Sequence, residues 1–386
     1  MFLELLKAEN FRLFESVELD FDKNHNLIFG DNASGKTTIL EAISYLGRGR
    51  SFRNSKTTDI VRWGSDDLLV YGKVENNAQY TSIGVMNGKG GFESSINGDH
   101  SLGIAGLART LPLQVIDPNS HNLISGSPEE RRRYIDWILF HVEPKYIEIW
   151  RKYKRTLKQR NAALKNISDK GEIEYWNKGL SEYGEQINNM REDTFMIIEP
   201  VIEQNAYDLI GSGVSLIFEK GWSKEKSLFD SLNINLKRDI QYKSTTCGPH
   251  RADIRVALES GTAKDFVSRG QQKLLACALI TASVEIVQIY HDKPLLLLID
   301  DPKAELDRHS TSKLMKKIAK LDSQVIATSI DPEEYLFEGE LKMFHVEQKL
   351  SLIHISEPTR RRGMAFAGVW LKKKRGGGGG GGGGGG

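Results

Sequence analysis

Residues 30–37 read Gly30-Asp31-Asn32-Ala33-Ser34-Gly35-Lys36-Thr37, with Thr38 next. Glycines at both ends let the backbone curl until successive N–H groups converge on one point, and the lysine follows the second glycine directly. This is the G-x-x-x-x-G-K-[ST] pattern, a cradle for nucleotide phosphates. Its surroundings suit that chemistry. The short apolar run Asn26–Phe29 precedes it as a strand, and a helix-forming stretch, Thr37–Tyr45, follows. A helix N-terminus adds partial positive charge at the point where phosphates sit. Gly30 to Thr38 are therefore the expected phosphate-binding residues. Lys36 reaches the β- and γ-phosphates of ATP, and the Thr37 hydroxyl binds Mg²⁺.

Far along the chain, Leu295-Leu296-Leu297-Leu298-Ile299 ends in Asp300-Asp301. A run apolar at every position suits a parallel strand buried on both faces, whose C-terminal end is where open α/β sheets bind ligands. Asp300 is expected to hold Mg²⁺. Asp301 is expected to orient or deprotonate the attacking water, a role typically giving a 10²- to 10⁴-fold rate gain. About thirty residues earlier, Ser268-Arg269-Gly270-Gln271-Gln272-Lys273 opens a helix. It resembles the signature motif of ATP-binding-cassette ATPases, which presents a serine and a helix start to the γ-phosphate bound by another subunit. Ala304-Glu305-Leu306-Asp307 stands at the D-loop spacing of the same class.

Within that class the chain resembles the RecF family. Asn10-Phe11-Arg12 follows the first strand, as in RecF, Rad50 and structural-maintenance-of-chromosomes (SMC) ATPases. Similar to RecF in particular are Gly49-Arg50-Ser51-Phe52-Arg53, the block from Ser127-Pro128 to Trp137, Lys158-Gln159-Arg160-Asn161, Gly248-Pro249-His250-Arg251 and Phe344-His345-Val346-Glu347. The resemblance spans residues 1 to about 348. It implies an α/β head of the ABC-ATPase type with an inserted short helical arm, ATP-driven homodimerisation and slow, DNA-dependent hydrolysis. It also implies DNA binding during replication and repair, with RecR and RecO as partners that help load RecA. Arg12, Ser268, Arg269, Gly270, Gln271 and Asp307 join the nucleotide-binding set on this basis. Two features depart from most cassette ATPases. Asp301 stands where glutamate is usual, and Thr328-Ser329 stand where a switch histidine is expected; Gln114 and Asp117 both fit the Q-loop position.

Around these motifs the text divides into an N-terminal ATPase half (1–120), a helical arm (121–242), a C-terminal half (243–349) and a tail. Strand-like runs fill the first part. From Tyr146 to Leu164 and from Trp176 to Met190 apolar residues recur at three to four, which predicts a helical hairpin turning at Ser168–Gly171. Pro200 is expected to end or kink its second helix. Strand-like text returns between Gly213 and Val256. From Leu350 the composition changes, and eleven glycines close the sequence at Gly386. The run LSLIHISEPTR resembles an in-frame translation of a sequencing adapter, so 350–386 is read as non-native and set aside.

Net charge is +2, but the tail carries seven Lys/Arg and one acid, leaving 46 basic and 50 acidic side chains before it. Such a body meets nucleic acid through local basic patches. The candidates are Arg50, Arg53 and Lys56, then Arg131, then Arg151, Lys154 and Arg155. No apolar run approaches the roughly 18–20 residues of a membrane helix, and two cysteines fit a reducing cytoplasm. Competing expectations are a transporter's cassette subunit, a Rad50- or SMC-like head, and a nucleotide-gated scaffold without turnover.

Overall fold

The structure is a computed structural model and describes residues 1–53, 56–166, 170–259, 261–291, 294–331, 341–349, 352–358 and 366–369. The chain opens with strands β1 (Phe2–Phe11), β2 (Phe14–Asp20) and β3 (His25–Phe29), then helices α1 (Lys36–Arg48) and α2 (Thr57–Ile60). Strands β4 (Asp67–Asn76), β5 (Gln79–Gly88) and β6 (Gly91–Ile96), helix α3 (Gly103–Thr110) and β7 (Leu113–Ile116) follow. An antiparallel sheet runs in the order β2-β1-β4-β5-β6. Alternation explains it: Leu6 and Ala8 of β1 and Leu68 and Val70 of β4 are fully buried, while Lys7, Asp67 and Leu69 between them are exposed. Sequence reading missed β6 and α3. Gly91-Phe-Glu-Ser-Ser-Ile96 has little apolar signal, and α3 contains Gly103 and Gly106.

The middle of the chain is mostly helical: α4 (Asn122–Ser125), α5 (Pro128–Val142), α6 (Tyr146–Lys165) and α7 (Lys170–Ile210). Strand β8 (Ser215–Glu219), helices α8 (Leu228–Ile234) and α9 (Leu236–Tyr242), strands β9 (Asp253–Leu258) and β10 (Gly261–Thr262), and helix α10 (Ala263–Phe266) come next. Then stand α11 (Arg269–His291), β11 (Leu295–Ile299) and α12 (Arg308–Ile318). Three expectations need correction. Helix α7 continues through Pro200 to Ile210, 41 residues in all, so the proline does not end it. Between Gly213 and Val256 only β8 and the start of β9 are strands; α8 and α9 lie between them. Lys170 and Gly171 of the expected turn belong to α7, and Ser168 lies outside the described residues. The hairpin itself is present, with Tyr153, Leu157, Leu164, Ile173, Leu180 and Ile187 of α6 and α7 buried.

Helix α11 is long and apolar enough, by composition alone, to cross a membrane, contrary to the reading above. It packs instead against α5 and α7, and its Leu275, Ala276, Cys277, Ala278, Ala282 and Val284 are fully buried. The chain ends in β12 (Ser323–Ser329), β13 (Leu341–Lys349), β14 (Leu352–Pro358) and β15 (Phe366–Val369). The second large sheet has the order β15-β14-β13-β3-β12-β11-β7, in which β3 pairs parallel with both β12 and β13. The tail set aside above therefore contributes two antiparallel strands.

Two compact units result: residues 1–113, 298–300 and 324–386, and residues 114–297 and 301–323. This division differs from the expected arm at 121–242. The physical reason is the packing of α7 on α11, which ties the helical insertion to the helix that opens at Arg269.

Candidate nucleotide site and nucleic-acid surface

In the first unit the loop from Gly30 to Lys36 carries three left-handed backbone positions, Gly30 (φ 149°), Ala33 (φ 63°) and Gly35 (φ 114°). Two of them admit only glycine for a second reason. A Cβ on Gly30 would run into the Val346 carbonyl, and one on Gly35 would sit 2.8 Å from the Phe14 ring. The Lys36 ammonium folds back over the loop, donating to the carbonyls of Gly30 and Asp31 at 2.7 Å each. The Ser34 hydroxyl is buried and makes no hydrogen bond, an uncommon state for a hydroxyl inside a protein. It fits a loop shaped for an acceptor-rich ligand.

Thr37, at the start of α1, donates its hydroxyl to Asp300 Oδ1 at 2.8 Å, and Thr328 donates to the same oxygen at 2.9 Å. Asp300 is buried, as expected for an acid at the end of a buried strand. Two hard oxygens at this separation suit Mg²⁺, because neighbouring ligands of an octahedron with bonds of 2.0–2.1 Å stand about 2.9 Å apart. Thr328, noted in the sequence only as the residue in place of a histidine, is thus a second hydroxyl that anchors Asp300.

Arg12 sits in the turn between β1 and β2 at φ 55°, a costly conformation for a branched-free long side chain that a packed surrounding must hold. Its Nε and Nη2 donate to the two oxygens of Glu41 at 3.0 and 2.7 Å, and Nη1 donates to the Asp59 carbonyl at 2.7 Å. Glu41 is fully buried in α1. Ser51 also donates to it, and the Arg53 guanidinium stands 3.7 Å away. The sequence reading missed Glu41. Its signal was available, an acid on the apolar side of α1 that burial permits only with a cationic partner. Arg12, Thr38, Arg53, Trp63 and Lys89 line a cleft of about 900 Å³ in this unit.

The second unit holds the other motifs. Ser268 and Gln271 form a capping box at the start of α11: Gln271 N donates to Ser268 Oγ at 3.3 Å, and Ser268 N donates to Gln271 Oε1 at 3.0 Å. Ser268, Arg269 and Gln271 are exposed and Gly270 is half-buried. The D-loop adjoins them. The Glu305 carbonyl lies 3.7 Å from where a Cβ of Gly270 would stand, and the Glu305 carboxylate is 3.5 Å from the buried Lys273 ammonium. Asp307 caps α12, accepting from Ser310 N and Ser310 Oγ at 2.9 Å each, and those bonds hold its carboxyl below the usual range. Asp301 has φ 40° immediately before Pro302, a strained position. Gln114 is buried and donates to Ser283 at 3.3 Å, whereas Asp117 accepts from Ser120 at 2.9 Å as the cap of a 3₁₀ turn.

Of the basic candidates, Arg131 is withdrawn. It is buried, forks onto Asp253 at 2.7 and 3.1 Å, and donates to the Gly126 carbonyl at 2.9 Å. At 8% exposed it belongs to the interior rather than to a basic surface. Neighbouring Arg133 pairs with Glu129 and Glu130. Arg151, Lys154 and Arg155 are exposed on α6, with Lys154 over the Trp150 ring at 5.0 Å. Arg50, Arg53 and Lys56 are exposed in the first unit.

The loop, the Asp300 pair, the capped signature helix and the adjoining D-loop define a phosphate-loop head of the ATP-binding-cassette class. Comparison places it more closely. Residues 2–351 match the RecF/RecN/SMC N terminal domain, and the chain belongs to that family. It is 35% identical over 353 residues to the DNA replication and repair protein RecF of Shewanella pealeana, covering 90% of this chain and 98% of that protein. It is 37% identical over 349 residues to the RecF of Coxiella burnetii, covering 89% and 96%. Among solved structures, the recombination mediator protein RecF with ATP in the RecFOR pathway matches with TM-score 0.80 and 26% identity, covering 89% of this chain and 95% of that one. An SMC head bound to the C-winged helix domain of ScpA matches at TM-score 0.58 and 18% identity, a likeness of fold alone.

Proposed function

We propose that this chain is a DNA replication and repair ATPase that acts as a nucleotide-gated clamp. Two copies enclose ATP between the phosphate loop of one and the Ser268 helix start of the other. The observation that carries the reading is the pairing of Thr37 with Asp300 at the mouth of the loop. It brings together two hard oxygens at a spacing that supports binding of the Mg²⁺ of MgATP. In this reading Lys36 swings from the Gly30 and Asp31 carbonyls to the β- and γ-phosphates, and the buried Ser34 hydroxyl gains its missing partner. When bound, Mg²⁺ neutralises charge on the phosphates. Asp301, one methylene shorter than the usual glutamate, orients water for a slow, DNA-dependent turnover that releases the clamp.

DNA is the second ligand, met by phosphate contacts from Arg151, Lys154 and Arg155 and from Arg50, Arg53 and Lys56. RecR and RecO are the expected partners at gapped or stalled replication sites, and RecA the recombinase loaded there. Support comes from relatives that bear the RecF name over nearly their whole length. The Rad50-like alternative rests on the SMC head likeness and needs long arms. Here the hairpin has helices of 20 and 41 residues, roughly 30 and 60 Å.

Solution mass by light scattering, with and without ATP, Mg²⁺ and DNA, tests the clamp. The wild type should pass from monomer to dimer only with ATP, and Asp301→Asn should persist as a dimer. A chain that stays monomeric in both forms would sink the clamp while leaving the phosphate loop standing.

A further inference from the structure

A helix at a protein surface turns polar residues to water. The C-terminal part of α7 does not. Met196 and Tyr207, 67% and 60% exposed, stand about three turns apart on one face, with exposed Pro200 between them and Ile197 beside them at 42%. A row of exposed Met, Ile and Tyr on a long helix has the composition of a docking surface rather than of a solvated one. Pro200 adds an acceptor to that row. Proline has no N–H, so the Met196 carbonyl loses the donor that residue 200 would otherwise give it.

The same face walls a cleft of about 520 Å³ within the second unit. Pro200, Glu203 and Tyr207 line one side; Val214, just before β8, and Ala257 of β9 line the other, with Glu259 beyond it. The charge of this lining is one-sided. It holds two carboxylates and no lysine, arginine or histidine. Neither Glu203 nor Glu259 makes an ion pair among the described residues, whereas Asp208 of α7 pairs with Lys317 at 3.2 Å and Glu219 of β8 with Arg255 at 2.6 Å. Such a lining repels a phosphate backbone. A cation on a long apolar stem matches every part of it: carboxylates for the charge, an aromatic ring for a planar head, apolar side chains for the stem. We propose that this cleft binds an arginine side chain presented by a partner protein. The guanidinium lies against the Tyr207 ring with its donors on Glu203 and Glu259, and apolar residues of the same segment cover Met196 and Ile197. Arginine suits the site better than lysine because its planar fork serves carboxylates and a ring at once. A free polyamine would satisfy the acids but leave Met196 and Ile197 bare.

Selection of a displayed library of random nonapeptides on the full chain tests it, in wild type, Tyr207→Ala, the neutral pair Glu203→Gln with Glu259→Gln, and the reversed pair Glu203→Lys with Glu259→Lys. Wild type should enrich peptides that hold an arginine beside an apolar residue. The Kd of the tightest of them, remade as a free peptide, should rise about tenfold in the neutral pair, the scale of one hydrogen bond to a charged group. Tyr207→Ala should weaken it in the same direction, as should lysine in place of the peptide's arginine. The reversed pair should select acidic peptides instead, a change of preference that a merely unfolded variant could not show. Spermidine at the peptide's concentration should leave the complex intact. Enrichment without arginine, or an affinity that the neutral pair leaves unchanged, would overturn the proposal. Displacement by spermidine would overturn the protein partner and assign the cleft to a polyamine.

Discussion

Glu41 is the residue that holds Arg12 in place in the first unit. A carboxylate with no exposed surface persists only if cations and hydroxyls satisfy both oxygens. Arg12, Arg53 and Ser51 do so here. Through them Glu41 joins the turn after β1 to the Gly49–Arg53 segment. Glu41→Gln keeps the volume but replaces an acceptor by a donor facing the guanidinium of Arg12. The expected cost is about 2 kcal/mol, the scale of a hydrogen bond to a charged group, read by urea unfolding. Nucleotide affinity should fall with it because Arg12 loses its fixed pose. A variant with wild-type stability and affinity would show that Arg12 needs no buttress.

At the scale of elements, the turn-side half of the helical hairpin is held by a buried polar network. Arg160 of α6 donates to Asn177 of α7 at 2.7 Å and to Asp239 of α9 and Thr245 at 2.8 Å each. His250 completes it. The Tyr153 hydroxyl lies 2.6 Å from Nδ1 and the Thr245 carbonyl 3.1 Å from Nε2, so a neutral ring with its proton on Nε2 satisfies both neighbours. Burial, with Arg251, Lys154 and Arg132 nearby, lowers its pKa from 6.5 to about 4. A depressed folded-state value means that between these limits the unfolded chain binds the proton and the native chain does not. Stability from this site is therefore complete above pH 6.5 and is lost as pH falls towards 4. The expected loss between pH 7 and pH 4 is up to about 3 kcal/mol. Urea midpoints against pH should show it, and His250→Gln should flatten the curve over that window. An unchanged slope in the variant would mean that His250 is not the titrating group.

For the whole molecule, the phosphate loop and the Ser268 helix start lie in separate compact units; Asp31, Asn32 and Ala33 are exposed in the first, and Ser268, Arg269 and Gln271 in the second. The clamp reading gives this arrangement a test by mixing. Lys36→Ala lacks a working loop and Ser268→Arg lacks a working signature, so each should be inactive alone. A mixed pair contains one site with both parts intact. Equimolar mixing should restore measurable ATP turnover, below that of wild type, because only the mixed pair holds a complete site and it holds one of two. No restoration would refute assembly of the site from two chains.

The sequence by itself determined the local shapes on which the proposed phosphate site rests. Gly30, Lys36, Thr37, Asp300 and the Ser268 helix start were legible because each depends on local geometry: a left-handed glycine, a helix N-terminus, an acid ending an apolar strand. The main strands and helices were legible from their periods for the same reason. What only the tertiary structure decided depends on partners far along the chain. The charge run at Arg131–Arg133 looked like a surface patch until Asp253, 122 residues away, took Arg131. Pro200 read as a stop or a kink, and α7 continues through it to Ile210, which excludes the stop; the ends of a long helix are set by packing as well as by local propensity. Thr328, Glu41 and Trp63 carry no motif. Folding brings the first to Asp300 and the second to Arg12, and sets the third at the edge of a cleft.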